Sequence, residues 1–131
     1  MSDDLPVDVL VIDGANVVGS RPDGWWRDRP GAAARLHSQL VGAGLTATMI
    51  LVLEGRARAG VSEGAAGGGR IEVVHAAGEG DDRIVAEARA VVSAGRSVAV
   101  VTADRGLSAR VEAVGARAVR PGWLLDRLGA R

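Results

Sequence analysis

Residues 7–16, VDVLVIDGAN, decide the fold. Val9, Leu10, Val11 and Ile12 make a short run of strand-forming residues that only burial satisfies. The chain then turns on Gly14 and leaves Asp13 and Asn16 at the carboxyl end of that strand, the edge where open α/β sheets place their ligands. The rest of the chain is read as supplying partners for those two side chains.

Outward from this stretch, strands and helices alternate. The first strand is predicted over 7–12 and a helix over 30–41, with Pro30 near its first turn and Ala33, Leu36 and Leu40 on one face. A second buried strand covers 45–53, LTATMILVL, and a third, shorter and more polar, covers 70–75, RIEVVH, near the sheet's edge. A helix over 81–94 turns Ile84, Val85, Ala88, Val91 and Val92 inward. The fourth strand, 97–103, SVAVVTA, is apolar on both faces and therefore central. A helix over 105–114 presents Leu107, Val111 and Val114, a short strand follows at 116–119, and a last helix holds Trp123, Leu124, Leu125 and Leu128. Two stretches resist assignment. Residues 17–29, VVGSRPDGWWRDR, mix turn residues with two Trp, and 55–69, GRARAGVSEGAAGGG, are Gly-rich and expected to be mobile. Alternation with short connectors predicts a parallel sheet covered on both faces, in one domain over 1–131 after a loose acidic lead-in at 1–6.

Composition excludes several chemistries. The 16 basic residues are all Arg; without Lys there is no Walker phosphate loop and no Schiff-base chemistry. Without Cys there is no disulfide, thiol nucleophile or cysteine zinc site. His37 and His75 lack a partner at useful spacing, so a bound metal should be a hard cation held by oxygen. Sixteen acids balance the Arg, so nucleic-acid binding would have to come from a local patch. The acidic start, MSDDLPVD, and the absence of a long apolar run predict a cytoplasmic chain that does not enter a membrane.

Three places put acid at the carboxyl end of a predicted strand. Asp13 follows the first, Asp104 follows the fourth, and Asp81 with Asp82 opens the helix after the third. Capping alone explains Asp81 or Asp104 singly, and Asp13-Gly14 reads equally as a plain turn. It does not explain why all fall on one edge. Carboxylates gathered there repel unless a divalent cation lies between them. An aspartate-nucleophile phosphatase built on Asp13 fits less well, because Ala15 stands where that chemistry wants a second acid.

The blocks VIDGANVVGS, GDDRIVAEA and VAVVTADRGL, in this order, resemble the three-motif pattern of the NYN family of PIN-like ribonucleases. The middle block is similar to the paired-acid segment of the PIN-like nuclease domain in CCCH zinc-finger ribonucleases. The resemblance implies a three-layer α/β/α PIN-like domain whose five parallel strands run in the order 3-2-1-4-5. It also implies cleavage of RNA with Mg2+ or Mn2+. Carried over by position, Asp13, Asp81, Asp82 and Asp104 would be the metal-site acids. Asn16 would position Asp13 or the phosphate, and Thr102 would support the site through its hydroxyl.

Arg21, Arg27, Arg29, Arg56, Arg83 and Arg105 are candidate contacts to the phosphates of a single RNA strand, and Trp25 and Trp26 candidates for base stacking. The plainer reading packs one Trp under its loop and leaves the Arg solvated or paired with Asp23 and Asp28. Asp28 and Glu79 read mainly as surface charge. Trp123 with Leu124 and Leu125 reads as core or as an oligomer contact, which leaves a homodimer open. From a different class, a catalytically silent nucleic-acid-binding or regulatory PIN-like module would share these features, and an antitoxin-like protein partner stays open within the nuclease reading.

Overall fold

The computed structural model describes residues 5–129. Six strands form one sheet: β1 (Val9–Asp13), β2 (Thr48–Leu53), β3 (Gly64–Ala66), β4 (Ile71–His75), β5 (Val98–Val101) and β6 (Arg117–Val119). Their order is β3-β4-β2-β1-β5-β6. Every pairing is parallel except that of β3 with β4. The parallel part keeps the expected order, with β1 between β2 and β5. Among the described residues five α-helices complete the fold: α1 (Gly14–Gly19), α2 (Arg29–Gly42), α3 (Gly80–Ser93), α4 (Arg105–Ala113) and α5 (Pro121–Leu128).

The core lies in two layers, one on each face of the sheet. Leu10, Ile12, Leu51, Leu53, Ile71 and Val101 point to one face, where Val17 of α1, Leu36 and Leu40 of α2 and Leu124 of α5 cover them. Val9, Val11, Val52, Val98 and Val100 point to the other, under Ile84 and Ala88 of α3 and Leu107 and Val111 of α4. Strands β1 and β5 thus contribute apolar side chains to both layers, which is why they read as uninterrupted apolar runs. The helical stripes expected on α2, α3 and α4 are the ones buried, with Val92 and Val114 half-buried at their margins.

Two stretches differ from the sequence reading. The sheet has six strands and not five, because the Gly-rich segment 55–69 is ordered into a 3-10 turn at Gly55–Gly60 and the antiparallel strand β3. Long-range bonds hold it there: Glu63 accepts from the His75 N–H at 2.8 Å, and the His75 ring Nε2 lies 2.7 Å from the Val61 carbonyl, to which it must donate. In the segment 17–29, α1 starts directly after β1 and a 3-10 turn follows at Trp25–Arg27. The lead-in expected at 1–6 falls outside the described residues as far as residue 4, and Leu5 packs against the core. Among the described residues no helix is long and apolar enough to cross a membrane.

Candidate active site

Asp13 is the last residue of β1, paired in register with Val52 of β2. Its side chain is buried at 5% exposure, and so is that of Thr102 at 2%; they are the two buried polar side chains of the described core. A carboxylate there needs hydrogen-bond donors. It has two: the Thr102 hydroxyl donates to Oδ2 at 3.0 Å, and the Asn16 N–H donates to Oδ1 at 3.2 Å. The second bond makes Asp13 the N-cap of α1, so one side chain ends the strand and starts the helix. Asn16 faces β5 instead, its Oδ1 accepting from the Ala103 N–H at 2.8 Å. Thr102 Oγ1 accepts from the Asp104 N–H at 3.2 Å, and Asp104 caps α4 through the Leu107 N–H at 2.9 Å. Residues from positions 13–16 and 102–104 therefore form one network across the β1–β5 junction.

The acids around it are coupled by charge. Burial pushes the Asp13 carboxyl above the usual carboxylate range, and the negative charges of Asp81 and Glu54 push the same way; the Asn16 and Thr102 hydrogen bonds pull it back. Asp81, in the first turn of α3, is also raised, first by burial, then by Asp104 and Glu79, with Arg110 opposing. Asp13, Glu54, Asp81, Asp104 and Glu79 thus share one edge. Glu54, directly after β2, lies outside the carried-over motifs. It accepts from the Gly80 N–H at 3.1 Å and so caps α3 from the neighbouring strand. The rule that found Asp13 and Asp104, an acid at the carboxyl end of a parallel strand, applies equally to it.

The remaining candidates divide between this edge and other partners. Asp82 is exposed and paired with Arg110 of α4 at 2.9 Å, and is not among the charges that act on Asp13. Arg83 pairs with Glu87 one turn along α3 at 2.8 Å. Asp28 caps α2 through the Gly31 N–H at 2.9 Å. Arg21 leaves the acidic edge and donates to Gln39 Oε1 at 2.6 Å. Arg105 is exposed beside the edge, lining a groove with Thr102, Ala103 and Arg120. Trp25 packs against the core and Trp26 remains 55% exposed, edge-on to it at 5.9 Å. Arg27 lies over the Trp26 ring at 5.7 Å and Arg29 over Trp25 at 5.2 Å. Since α2 carries the chain back to the start of a parallel strand, its first turn lies on the carboxyl side of the sheet. The Gly55–Gly60 turn packs there, with no room for a Cβ between Gly60 and the Pro30 carbonyl. Arg27, Arg29, Arg56 and Trp26 therefore flank the same edge.

The donor chemistry suits a hard cation, since every acid offers oxygen and the network contains neither sulfur nor imidazole. Among the described residues no three carboxylates or imidazoles lie close enough to enclose an ion by themselves. Mg2+ commonly takes one or two carboxylates together with waters and substrate phosphates, so the residues fit that mode of binding.

Two expectations follow from this geometry. Thr102→Val removes the hydroxyl shared by Asp13 and Asp104 and should cost about 1–3 kcal/mol in denaturant unfolding. Thr102→Ser, which keeps both bonds, should recover most of it. The second concerns pH. Folding raises the proton affinity of Asp13 and Asp81, so the stability linked to these groups is fully present below the ordinary carboxylate range and is lost as pH rises through their raised folded values. In EDTA, the Tm of Asp13→Asn should gain on that of the wild type as pH rises from about 4 to about 7. A constant difference across that range would contradict the assignment.

No family model and no curated protein matches the chain. Among solved structures it is similar to Rae1 (YacP) from Bacillus subtilis, with a TM-score of 0.74 and 20% identity over 93% of this chain and 74% of that one. A tryptophan-to-leucine variant of the same protein gives a TM-score of 0.75 and 20% identity, over 93% of this chain and 75% of that one. At this identity the likeness shows the fold, which is PIN-like. It lends nothing to the narrower comparison with CCCH zinc-finger ribonucleases.

Proposed function

We propose that the chain is a metal-dependent ribonuclease that hydrolyses phosphodiester bonds of single-stranded RNA at the carboxyl edge of its sheet. The observation that carries this reading is the buried Asp13 carboxylate, held by Thr102 and Asn16 among Asp81, Glu54 and Asp104. A protein gains nothing in stability by burying a charge among like charges. Such sites are where function is sought.

Asp13, with Asp81 or Asp104 as a second carboxylate, would hold Mg2+ or Mn2+ together with water and substrate phosphate, and Glu54 would be a further acid nearby. When bound, the ion would supply positive charge to the scissile phosphoryl group and a more acidic water. The chain's own residues do the positioning. Thr102 and the Asn16 N–H fix both oxygens of Asp13, and the Asn16 side chain ties α1 to the β5–α4 turn that carries Asp104. Arg27, Arg29 and Arg56, with Arg105 beside the edge, supply charge for backbone phosphates. Trp26 supplies a stacking face: Trp26→Ala should weaken RNA binding by about 1–3 kcal/mol. Its effect on stability should stay within about 0.5 kcal/mol, because the ring is largely exposed.

A silent RNA-binding module is the second reading, and one observation favours it: no three ligands are gathered around an ion among the described residues. Labelled single-stranded RNA incubated with Mn2+, Mg2+ or EDTA separates the two. Cutting that needs the metal supports the nuclease; tight binding without cutting in either metal leaves the silent module.

A further inference from the structure

A second cleft lies on the face covered by α1, α2 and α5, and it shares no lining residue with the acidic network. Its volume is about 570 Å3, within the ordinary range for small-molecule sites. Arg21, Arg35, Asp23, Asp126, Gln39, Leu125 and Pro22 line it. Arg21 is half-buried there. Its terminal nitrogen donates to Gln39 Oε1 at 2.6 Å, while its Nε is buried and has no hydrogen-bond partner. Arg35 adds a second positive charge near Arg21, and Asp23 adds a negative one that acts on Arg21 more strongly. Neither guanidinium lies within ion-pair distance of a carboxylate among the described residues, where the ion pairs are Arg83–Glu87 and Arg110–Asp82. Two guanidiniums side by side, neither in such an ion pair, suit a planar or tetrahedral oxyanion, which Arg binds in fork geometry. The same walls carry an amide, two acids and two apolar side chains, more than a bare anion uses. They match a base, with Gln39 and Asp23 for its polar edge and Pro22 and Leu125 for its face.

We propose that this cleft binds a nucleotide, with Arg21 and Arg35 on the phosphate and the Gln39–Leu125 side against the base. The nucleotide has two sources with the same chemistry: a free mononucleotide, or one unit of an RNA strand. This holds whether or not the acidic edge cuts RNA, so the test is run in EDTA and includes Asp13→Asn as a control. Thermal shift and calorimetric titration are carried out on the full chain with the four ribonucleoside 5′-monophosphates, inorganic phosphate and a short 2′-O-methyl RNA. Stabilisation by a monophosphate, weakened about 10-fold or more in Arg35→Gln and unchanged in Asp13→Asn, supports a free nucleotide. Binding of the oligomer alone, with the same loss in Arg35→Gln and a salt slope lower by about one, supports the strand. Arg35 is exposed, so its variant folds even where Arg21→Gln does not. Equal responses to inorganic phosphate and nucleotides would overturn the base half of the proposal. No response to any probe, or responses that Arg35→Gln leaves intact, would overturn all of it.

Discussion

Asp13→Asn is expected to lower metal-dependent RNA cleavage by at least about 10^2–10^3-fold while making the protein more stable, not less. The two effects have one cause. Asparagine keeps the shape of the side chain, can still accept from the Asn16 N–H, and can donate to Thr102 Oγ1 where the carboxylate accepted. What disappears is a negative charge that burial and the neighbouring Asp81 and Glu54 disfavour. Removing it without metal should raise stability at neutral pH by about 0.5–2 kcal/mol, the usual size of gain where a functional site is relieved. Added Mn2+ should raise the Tm of the wild type and do little to the variant. A variant that is both inactive and destabilised would instead mean that the carboxylate is there for the cap of α1.

The second large effect is on stability and falls one residue later. A Cβ on Gly14 would lie 2.6 Å from the Val52 carbonyl oxygen and 2.8 Å from Leu53 Cδ2. The first of these is backbone in the neighbouring strand, in register with Asp13, so no side-chain rotation relieves it. Gly14→Ala must push the β1–α1 junction away from β2, stretching the cap that Asp13 makes. The expected cost is about 3 kcal/mol, or about 10 °C in Tm, with loss of cleavage in the same variant. Gly42→Ala, where a Cβ meets nothing within 4 Å, is the control and should be neutral or slightly stabilising. If the two substitutions unfold alike, the close approach at Gly14 is not what fixes Asp13.

The sequence showed most clearly what periodicity and position carry. The apolar runs at β1 and β5, the stripes on α2 and α3, and the acids placed after strands were all legible, because each depends on local pattern. β3 was not. Gly64–Ala66 has no alternation to read, and its strand exists because β4 pairs with it and His75 holds Val61 and Glu63 across the gap. α1 was hidden because Val17, Val18 and Gly19 are weak helix formers; the Asp13 cap and the burial of Val17 and Val18 against the core hold it. Asp81 and Asp82 read as a pair, yet successive helical residues point about 100° apart. Asp81 turns toward Asp104, and Asp82 meets an Arg supplied by α4, a contact no local pattern announces.

Metal uptake and RNA cutting are followed together in one series. Mn2+ is titrated into the wild type and Asp13→Asn, free ion is followed by electron paramagnetic resonance, and cleavage of a labelled single-stranded RNA is read from the same samples. The wild type should take up Mn2+, cleavage should rise with uptake and stop in EDTA, and Asp13→Asn should lose both. RNA cut equally well in EDTA, or Mn2+ uptake and cleavage unchanged by Asp13→Asn, would contradict a metal-dependent ribonuclease centred on Asp13.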